Sequence, residues 1–472
     1  MAIKRYTATA DNTITNAYKK GFLNRATGSN AGRADILEVF SLYGRESSSS
    51  SELSRILLDF PIDTIVSDRN SKLLPDAGGV SFYLRLFDAQ TSYSVPKDFK
   101  LVVSPLSKSW TEGEGLDLEN YKDSDASNWI SASYLTPWDS EGGDYIDADS
   151  VEDIFTTGLE DLEVDITDIV EKWISGENQQ NGIGVYLSSS YEASTKSYYT
   201  KRFFARGTQY FYKKPIIEAR WNSSKKDDRG SFYMSSSLSP AADNINTIYL
   251  YNYSRGILSN IPSVGTGEIY VNLYETIGGS PLSLSIDTPA TGGWVSTGVY
   301  TASICVEGDY TTLYDVWYKD GVQFHTGSIT PKTTSANTIS TRSKKYLINI
   351  TNLKNRYSND EIARFNIYAR ERGWSPTIYT VAQQTPENIT FHSASYKIFR
   401  TIDSYEVIPH GTGSDGHTIM SYDSSGNYFD LDLSILEPDY EYGIRFSIYE
   451  PDMNSWMELP ETFKFRVEEY EY

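Results

Sequence analysis

Leu313-Tyr314-Asp315-Val316-Trp317-Tyr318 runs directly into Lys319-Asp320-Gly321-Val322. Asp-Gly between alternating apolar residues is the strongest short hairpin signal, because both central positions of a type I′ turn need positive φ. The stretch predicts two antiparallel strands joined by two residues. Phe463-Lys464-Phe465-Arg466-Val467 shows the same period of two, with Phe463, Phe465 and Val467 on one face. Similar runs, β-branched or aromatic and bounded by turn residues, recur along the chain. The first part contains Ser54 to Phe60, Val80 to Phe87, Lys100 to Val103, Gly182 to Leu187 and Pro215 to Trp221. Thr247 to Tyr253, Glu268 to Tyr274 and Tyr300 to Val306 follow. Tyr346 to Ile350, Ala363 to Ala369, Ile389 to Phe399, Tyr428 to Leu433 and Tyr442 to Tyr449 complete the series. Ser47 to Ser51, five serines closely flanked by β-type segments, reads as a hairpin or loop tip.

One stretch departs from the pattern. Ile166, Ile169, Val170, Trp173 and Ile174 fall at i, i+3, i+4, i+7 and i+8, a single apolar stripe on a helix. Asp165 is placed to cap it, Asp168 sits in the first turn, and Gly176 stands where a left-handed residue closes a helix. This helix is expected to plug the end of a sandwich, with Trp173 in the core.

A chain of 472 residues is too long for one ordinary core and suggests about three units. The polar run Asn222 to Gly230 and the Thr/Ser-rich run Thr330 to Thr341 read as boundaries. The expectation is an all-β chain of tandem antiparallel β-sandwich domains, jelly-roll-like then immunoglobulin-like, with one short helix near 165–175. The domains are drawn at 1–225, 226–335 and 336–472, with the immunoglobulin-like unit at 226–335. No fixed-period repeat points to a solenoid or propeller.

Composition narrows the function classes. With 63 acidic against 42 basic residues the formal charge is −21, spread along the chain, so nucleic acid is not an expected partner. Thirty-seven tyrosines outnumber 19 phenylalanines, and tyrosine, apolar with a polar tip, suits strands and interfaces. The lone Cys305 rules out an intramolecular disulfide and reads as a small buried hydrophobe. Met1-Ala2-Ile3-Lys4-Arg5-Tyr6 has no apolar run behind its basic residues, so no Sec leader is expected, and no apolar run is long enough for a membrane helix. Synthesis in the cytoplasm follows as the expectation.

No catalytic, cofactor or metal site is expected. His325, His392, His410 and His417 are widely placed outside any HExxH arrangement, and GxSxG and GxxxxGK[ST] are absent. Gly411-Thr412-Gly413-Ser414-Asp415-Gly416 fits GxGxxG, but strand-like segments on both sides make it a hairpin loop; dinucleotides need it to open a helix. The acidic loops Trp110 to Asp117 and Asp139 to Asp144 offer oxygen ligands for calcium, yet lack EF-hand spacing and read as solvated loops. A glycosidase pair of carboxylates stays open, because this many acids place some pair at a suitable separation by chance. Trp110, Trp129 and Trp138 either stack on sugars, if exposed, or fill the core of a wide loop region; the second is the expectation.

Asn30-Ala31-Gly32, Ile36-Leu37-Glu38-Val39 and Ser54-Arg55-Ile56-Leu57-Leu58-Asp59-Phe60 resemble the opening of a DNRLRE-type β-sandwich module. Ser109-Trp110-Thr111-Glu112-Gly113, Asn128-Trp129-Ile130, the Asp165 to Trp173 helix and Asn181-Gly182-Ile183-Gly184 follow its pattern in order. Asn427 to Leu433 and Thr462 to Glu468 are similar in general character to phage virion proteins. The resemblance implies a non-enzymatic structural component of a tailed-bacteriophage virion, in a neck, tail or capsid-surface assembly. Its implied partners are other virion proteins (portal or neck, tail or capsid subunits), with the chain oligomeric in the assembly and neither nucleic acid nor membrane involved. The alternative is a carbohydrate-binding adhesin or receptor-binding fibre protein.

Overall fold

The computed structural model describes residues 2–91, 95–123, 125–236, 238, 240–332, 345–373, 378, 388–411, 415–450 and 453–469. Strand makes up 43% and helix 9%, so the chain is all-β, and its sheets curl into antiparallel sandwiches. Two compact units emerge: Ala2–Asn222 with 415–417, and the described residues of 223–411 and 418–469.

The first unit is built on two main sheets, beside the short ribbon Ser131–Ser133/Thr136–Pro137. Ile3–Thr7, Ile216–Arg220, Ser81–Leu86 and Leu162–Asp165 form the smaller, in that spatial order. Tyr198–Phe204, Ile36–Tyr43, Ser51–Asp59, Ile183–Leu187, Phe99–Pro105 and Val151–Phe155 run across the larger, with Ala10–Thr15 also paired to Ser51–Asp59. Alternation decides which side chains face inward: Phe82, Leu84 and Leu86 are buried while Ser81, Tyr83 and Arg85 are only half-buried. They join Leu37, Val39, Ile56, Leu58, Phe99, Leu101, Val103, Phe155, Ile183 and Val185 in one core. The five-serine patch is the tip of the Ile36–Tyr43/Ser51–Asp59 hairpin, where Tyr43 pairs with Ser51.

The expected helix spans Thr167–Ser175, and Ile166, Ile169, Val170 and Trp173 all enter that core. Asp165 accepts from the Thr167 backbone N–H at 2.9 Å, and Gly176 closes the helix at φ +78°. Helix is not confined to this stretch, a correction to the expectation. Ile62–Asn70 is helical too, and Ser189–Glu192 forms a single turn. Ile62 and Ile65 are buried, and Arg69 makes a forked pair with Glu171 of the other helix at 2.5 and 3.2 Å. A contact between the two helices fixes this element, which is why its own weak periodicity does not reveal it.

In the second unit, Asn246–Tyr251, Val299–Ile304, Ala290–Ser296, Ile269–Tyr274, Leu313–Lys319 and Val322–Ile329 form one six-stranded antiparallel sheet. Its last hairpin matches the sequence reading: Lys319 pairs with Val322, and Asp320 and Gly321 both have positive φ, at 50° and 77°. Cys305 is buried beside this sheet's core. The unit also holds a four-stranded sheet (Tyr346–Ile350, Ile362–Glu371, Gly426–Asp432, Ser421–Asp423), a larger one built on Glu441–Glu450 and the short ribbon Tyr253–Ser254/Ile257–Leu258. Phe365, Phe429 and Tyr396 stack between them, with ring centroids 5.0 and 4.0 Å apart. The polar run Asn222 to Gly230 is folded onto its surroundings, since Asp227 is buried and Arg229 pairs with buried Asp315 at 2.6 Å. Most of Thr330 to Thr341 lies outside the described residues.

Candidate functional site

The long connection between Phe99–Pro105 and Val151–Phe155 carries the three tryptophans singled out by the sequence. Trp129 and Trp138 are only 4% and 5% exposed, and Trp110 packs half-buried against them. With Ile14, Leu57, Leu106 and Ala132 they form a small second core. Two of the polar tips have partners: Trp138 Nε1 donates to the Asn128 carbonyl at 2.9 Å, and Trp110 Nε1 to the Asn181 carbonyl at 3.1 Å. Arg55 lies within 5.0 to 5.5 Å of the Trp129, Tyr145 and Tyr186 ring centres and is clamped by Glu192 at 2.7 and 3.0 Å. This is loop region built as core, with no aromatic platform left facing water at these three positions.

The acidic loops are equally occupied. Arg206 grips Glu112 at 2.7 Å through both carboxylate oxygens, and the Asp11 backbone N–H donates to the same group at 2.9 Å. Asp117 accepts from the backbone of Glu119 and Asn120, and Lys108 bridges Asp139 and Asp144 at 2.8 Å each. Burial opposes the charge on Asp144, but the Asp139 and Ser140 backbone N–H groups and Lys108 outweigh it and lower its pKa. These carboxylates already have the donors a calcium ion would displace. Among the described residues no group of three or more His, Cys, Asp or Glu side chains is placed to hold a metal.

Of the GxGxxG stretch, residues 412–414 lie outside the described residues. Strands Glu406–Ile408 and Ser421–Asp423 flank it, so no helix opens there, but they belong to different sheets, which corrects the hairpin reading: the stretch connects one sheet to another. The histidines are dispersed. His325 sits on an outer strand, His392 contacts the Tyr422 hydroxyl at 3.1 Å, and buried His417 belongs to the other unit. His410 is in a constellation that sequence reasoning missed, because its members come from two separate strands and a loop. Its Nδ1 shares a 2.8 Å hydrogen bond with Ser395 Oγ, and its Nε2 is 3.9 Å from Glu458. The residue types are those of a serine hydrolase, but Ser395 is 3% exposed within a sheet, where no substrate carbonyl reaches it. Glu458 is meanwhile held by Lys397 at 3.0 Å and Arg445 at 3.3 Å. We assign the cluster to structure.

What remains open to a partner is a sheet face. Across Ile269–Tyr274 and Leu313–Lys319, Tyr270 pairs with Tyr318, Asn272 with Val316, and Tyr274 with Tyr314. Their inward neighbours Ile269, Val271, Leu273, Leu313 and Trp317 are buried, which turns the four tyrosines outward, each half-exposed. The Tyr270 and Tyr318 rings lie 6.1 Å apart. Strand alternation fixes the backbone beneath them, so the rings form a rigid, uncharged, amphipathic patch. Its sequence signal is the Tyr-x-x-x-Tyr spacing on both strands.

Comparison with known proteins adds little. No family model matches the chain, and neither does any curated protein. Among solved structures, the chain is similar to the Yersinia pseudotuberculosis adhesin InvE at 11% identity and a TM-score of 0.16, over 50% of this chain and 56% of that one. It is similar to E. coli alpha-2-macroglobulin at 7% identity and a TM-score of 0.16, over 97% and 26%. Salmonella alpha-2-macroglobulin reacted with methylamine gives 7% identity and 0.15, over 99% and 26%. The chain thus spans about half the length of the adhesin and a quarter of each macroglobulin. At these scores none of the likenesses carries an argument about function.

Proposed function

We propose that this chain is a non-enzymatic structural protein of a tailed-phage virion, an accessory of the neck, tail or capsid surface that docks on other virion subunits. The observation that carries the reading is the tyrosine face on a rigid sheet: tyrosine supplies large contact area with few rotatable bonds, so binding through it costs little side-chain entropy. The tryptophan core supports it, because long loops stiffened in this way suit a spacer. The resemblance of the first half to DNRLRE-type modules supplies the setting. Mass spectrometry of purified particles tests the proposal. The chain is expected at a fixed, integral copy number per particle. Its absence from particles whose other structural proteins are all recovered would refute the reading.

A glycan-binding adhesin or receptor-binding fibre is the second reading. Trp129 and Trp138 do not favour it, being buried, but Trp456 does. It is 53% exposed on Ser455–Glu458, with Tyr449 beside it at 5.6 Å, an aromatic pair accessible to a sugar ring. Glycan binding abolished by Trp456→Ala, with the melting temperature unchanged, would establish that alternative.

A further inference from the structure

An exposed sheet edge presents unpaired backbone donors and acceptors to any other strand, and natural proteins guard such edges with charged side chains. Several outer strands here follow that rule. Lys4 and Arg5 lie on Ile3–Thr7, Glu152 and Asp153 on Val151–Phe155, and Glu163 and Asp165 on Leu162–Asp165. Val322–Ile329 does not. At eight residues it is the longest strand at a sheet edge among the described residues, and its sequence VQFHTGSI has no Asp, Glu, Lys, Arg or Pro.

Val322, Gln323, His325, Thr326 and Ser328 are exposed, and among the described residues the strand pairs with Leu313–Lys319 only. The register shift lies between Trp317 and Tyr318, near the turn, so from His325 to Ile329 the ladder is regular. The opposite outer strand of this sheet, Asn246–Tyr251, is uncharged as well, but it is covered. Asp228 accepts from the Thr247 N–H at 2.7 Å, Arg229 donates to the Tyr249 carbonyl at 3.3 Å, and Asn246 exchanges hydrogen bonds with the Tyr233 backbone at 2.9 and 3.0 Å. Tyr346–Ile350, another outer strand without charge, has five residues and begins immediately after Lys345.

We infer that the Val322–Ile329 edge pairs antiparallel with the same edge of a second copy of this chain. A chain with a formal charge of −21 repels its own copies over most of its surface, and this edge brings two together without like charges across the new ladder. A two-fold axis lets each edge satisfy the other's backbone groups. Tyr314 and Tyr318 stand on the adjacent strand, so pairing carries the tyrosine face across the junction. The inference does not depend on the virion reading.

The test uses the full chain, by sedimentation over a concentration series together with hydrogen–deuterium exchange. The expected mass rises from 53.2 kDa to twice that value as concentration increases, and exchange at 322–329 slows in step. Thr326→Lys, which sets two like charges facing each other across the axis, is expected to hold the mass at 53.2 kDa with an unchanged circular dichroism spectrum, while Thr326→Val keeps the dimer. A 53.2 kDa species at every concentration would overturn the inference. So would a dimer whose 322–329 amides exchange as fast as in the monomer, because its interface would lie elsewhere.

Discussion

Glu218 shows how much a single buried group depends on its neighbours. Burial alone would raise its pKa, but Arg5 at 2.6 Å, Arg85 at 3.3 Å and Arg220 at 2.6 Å hold it well below the usual carboxylate range. A depressed carboxyl contributes stability above its unfolded pKa and loses it as pH falls through the folded one. Glu218→Gln is therefore expected to cost about 3–5 kcal/mol at pH 7, measured by denaturant unfolding, because three guanidiniums lose their buried counter-charge. The cost should shrink below about pH 4. Asp11 is the opposite case. Burial, with Glu112 nearby, pushes its pKa up to about 6 against the pull of the Arg206 backbone N–H and side chain. The folded chain thus binds a proton that the unfolded chain has released, and stability falls as pH rises through about 6. Asp11→Asn keeps an oxygen for the Arg206 N–H and removes the buried charge. It should stabilise the protein by about 2 kcal/mol at pH 8, and by progressively less toward pH 4. Neither site was legible in the sequence. Residues 5, 85, 218 and 220 meet only through the strand order Ile3–Thr7, Ile216–Arg220, Ser81–Leu86, which no local pattern specifies. The burial of the tryptophans was legible, since long ordered loops need apolar contacts of their own.

Elements were readable wherever one element alone determined the pattern. The Asp320-Gly321 turn and the helix stripe ending at Gly176 carry their signals within a few residues. At Gly176 no atom lies within 4 Å of where a Cβ would stand, so only the left-handed backbone opposes a side chain. Gly176→Ala is expected to lower stability by about 1 kcal/mol, read from the shift in the denaturation midpoint. Leu135 presents the converse. It occupies φ +54° in the turn joining Ser131–Ser133 to Thr136–Pro137 and is 82% exposed, so its side chain pays a backbone cost without burial in return. Leu135→Gly should raise stability by up to about 1 kcal/mol in the same assay. The helix Ile62–Asn70 was missed because its stripe is short and the Arg69–Glu171 pair that anchors it joins residues far apart in sequence. The short outer strand Arg356–Ser358 escaped for a related reason. At three residues, period two has no room to show, and pairing with a longer strand defines it.

For the whole molecule, composition and period placed the chain in the all-β class, and the structure agrees. Which sheets pack together was beyond the sequence: the boundary near 222 coincides with the division between the compact units, whereas the described residues after it cluster as one unit built on several sheets. The long loops of the first sandwich are stiffened by an aromatic core, and Trp110, Trp129 and Trp138 stand in that core and form no sugar-stacking platform. The most direct test is thermal unfolding of Trp110→Ala, Trp129→Ala and Trp138→Ala beside the parent, with a glycan array run on all four proteins. Trp129→Ala and Trp138→Ala should each cost about 3–5 kcal/mol, Trp110→Ala less because it is half-buried, and the array signal should not change in any of them. Unchanged melting temperatures together with glycan binding lost in the variants would instead place these tryptophans on an exposed sugar-binding surface.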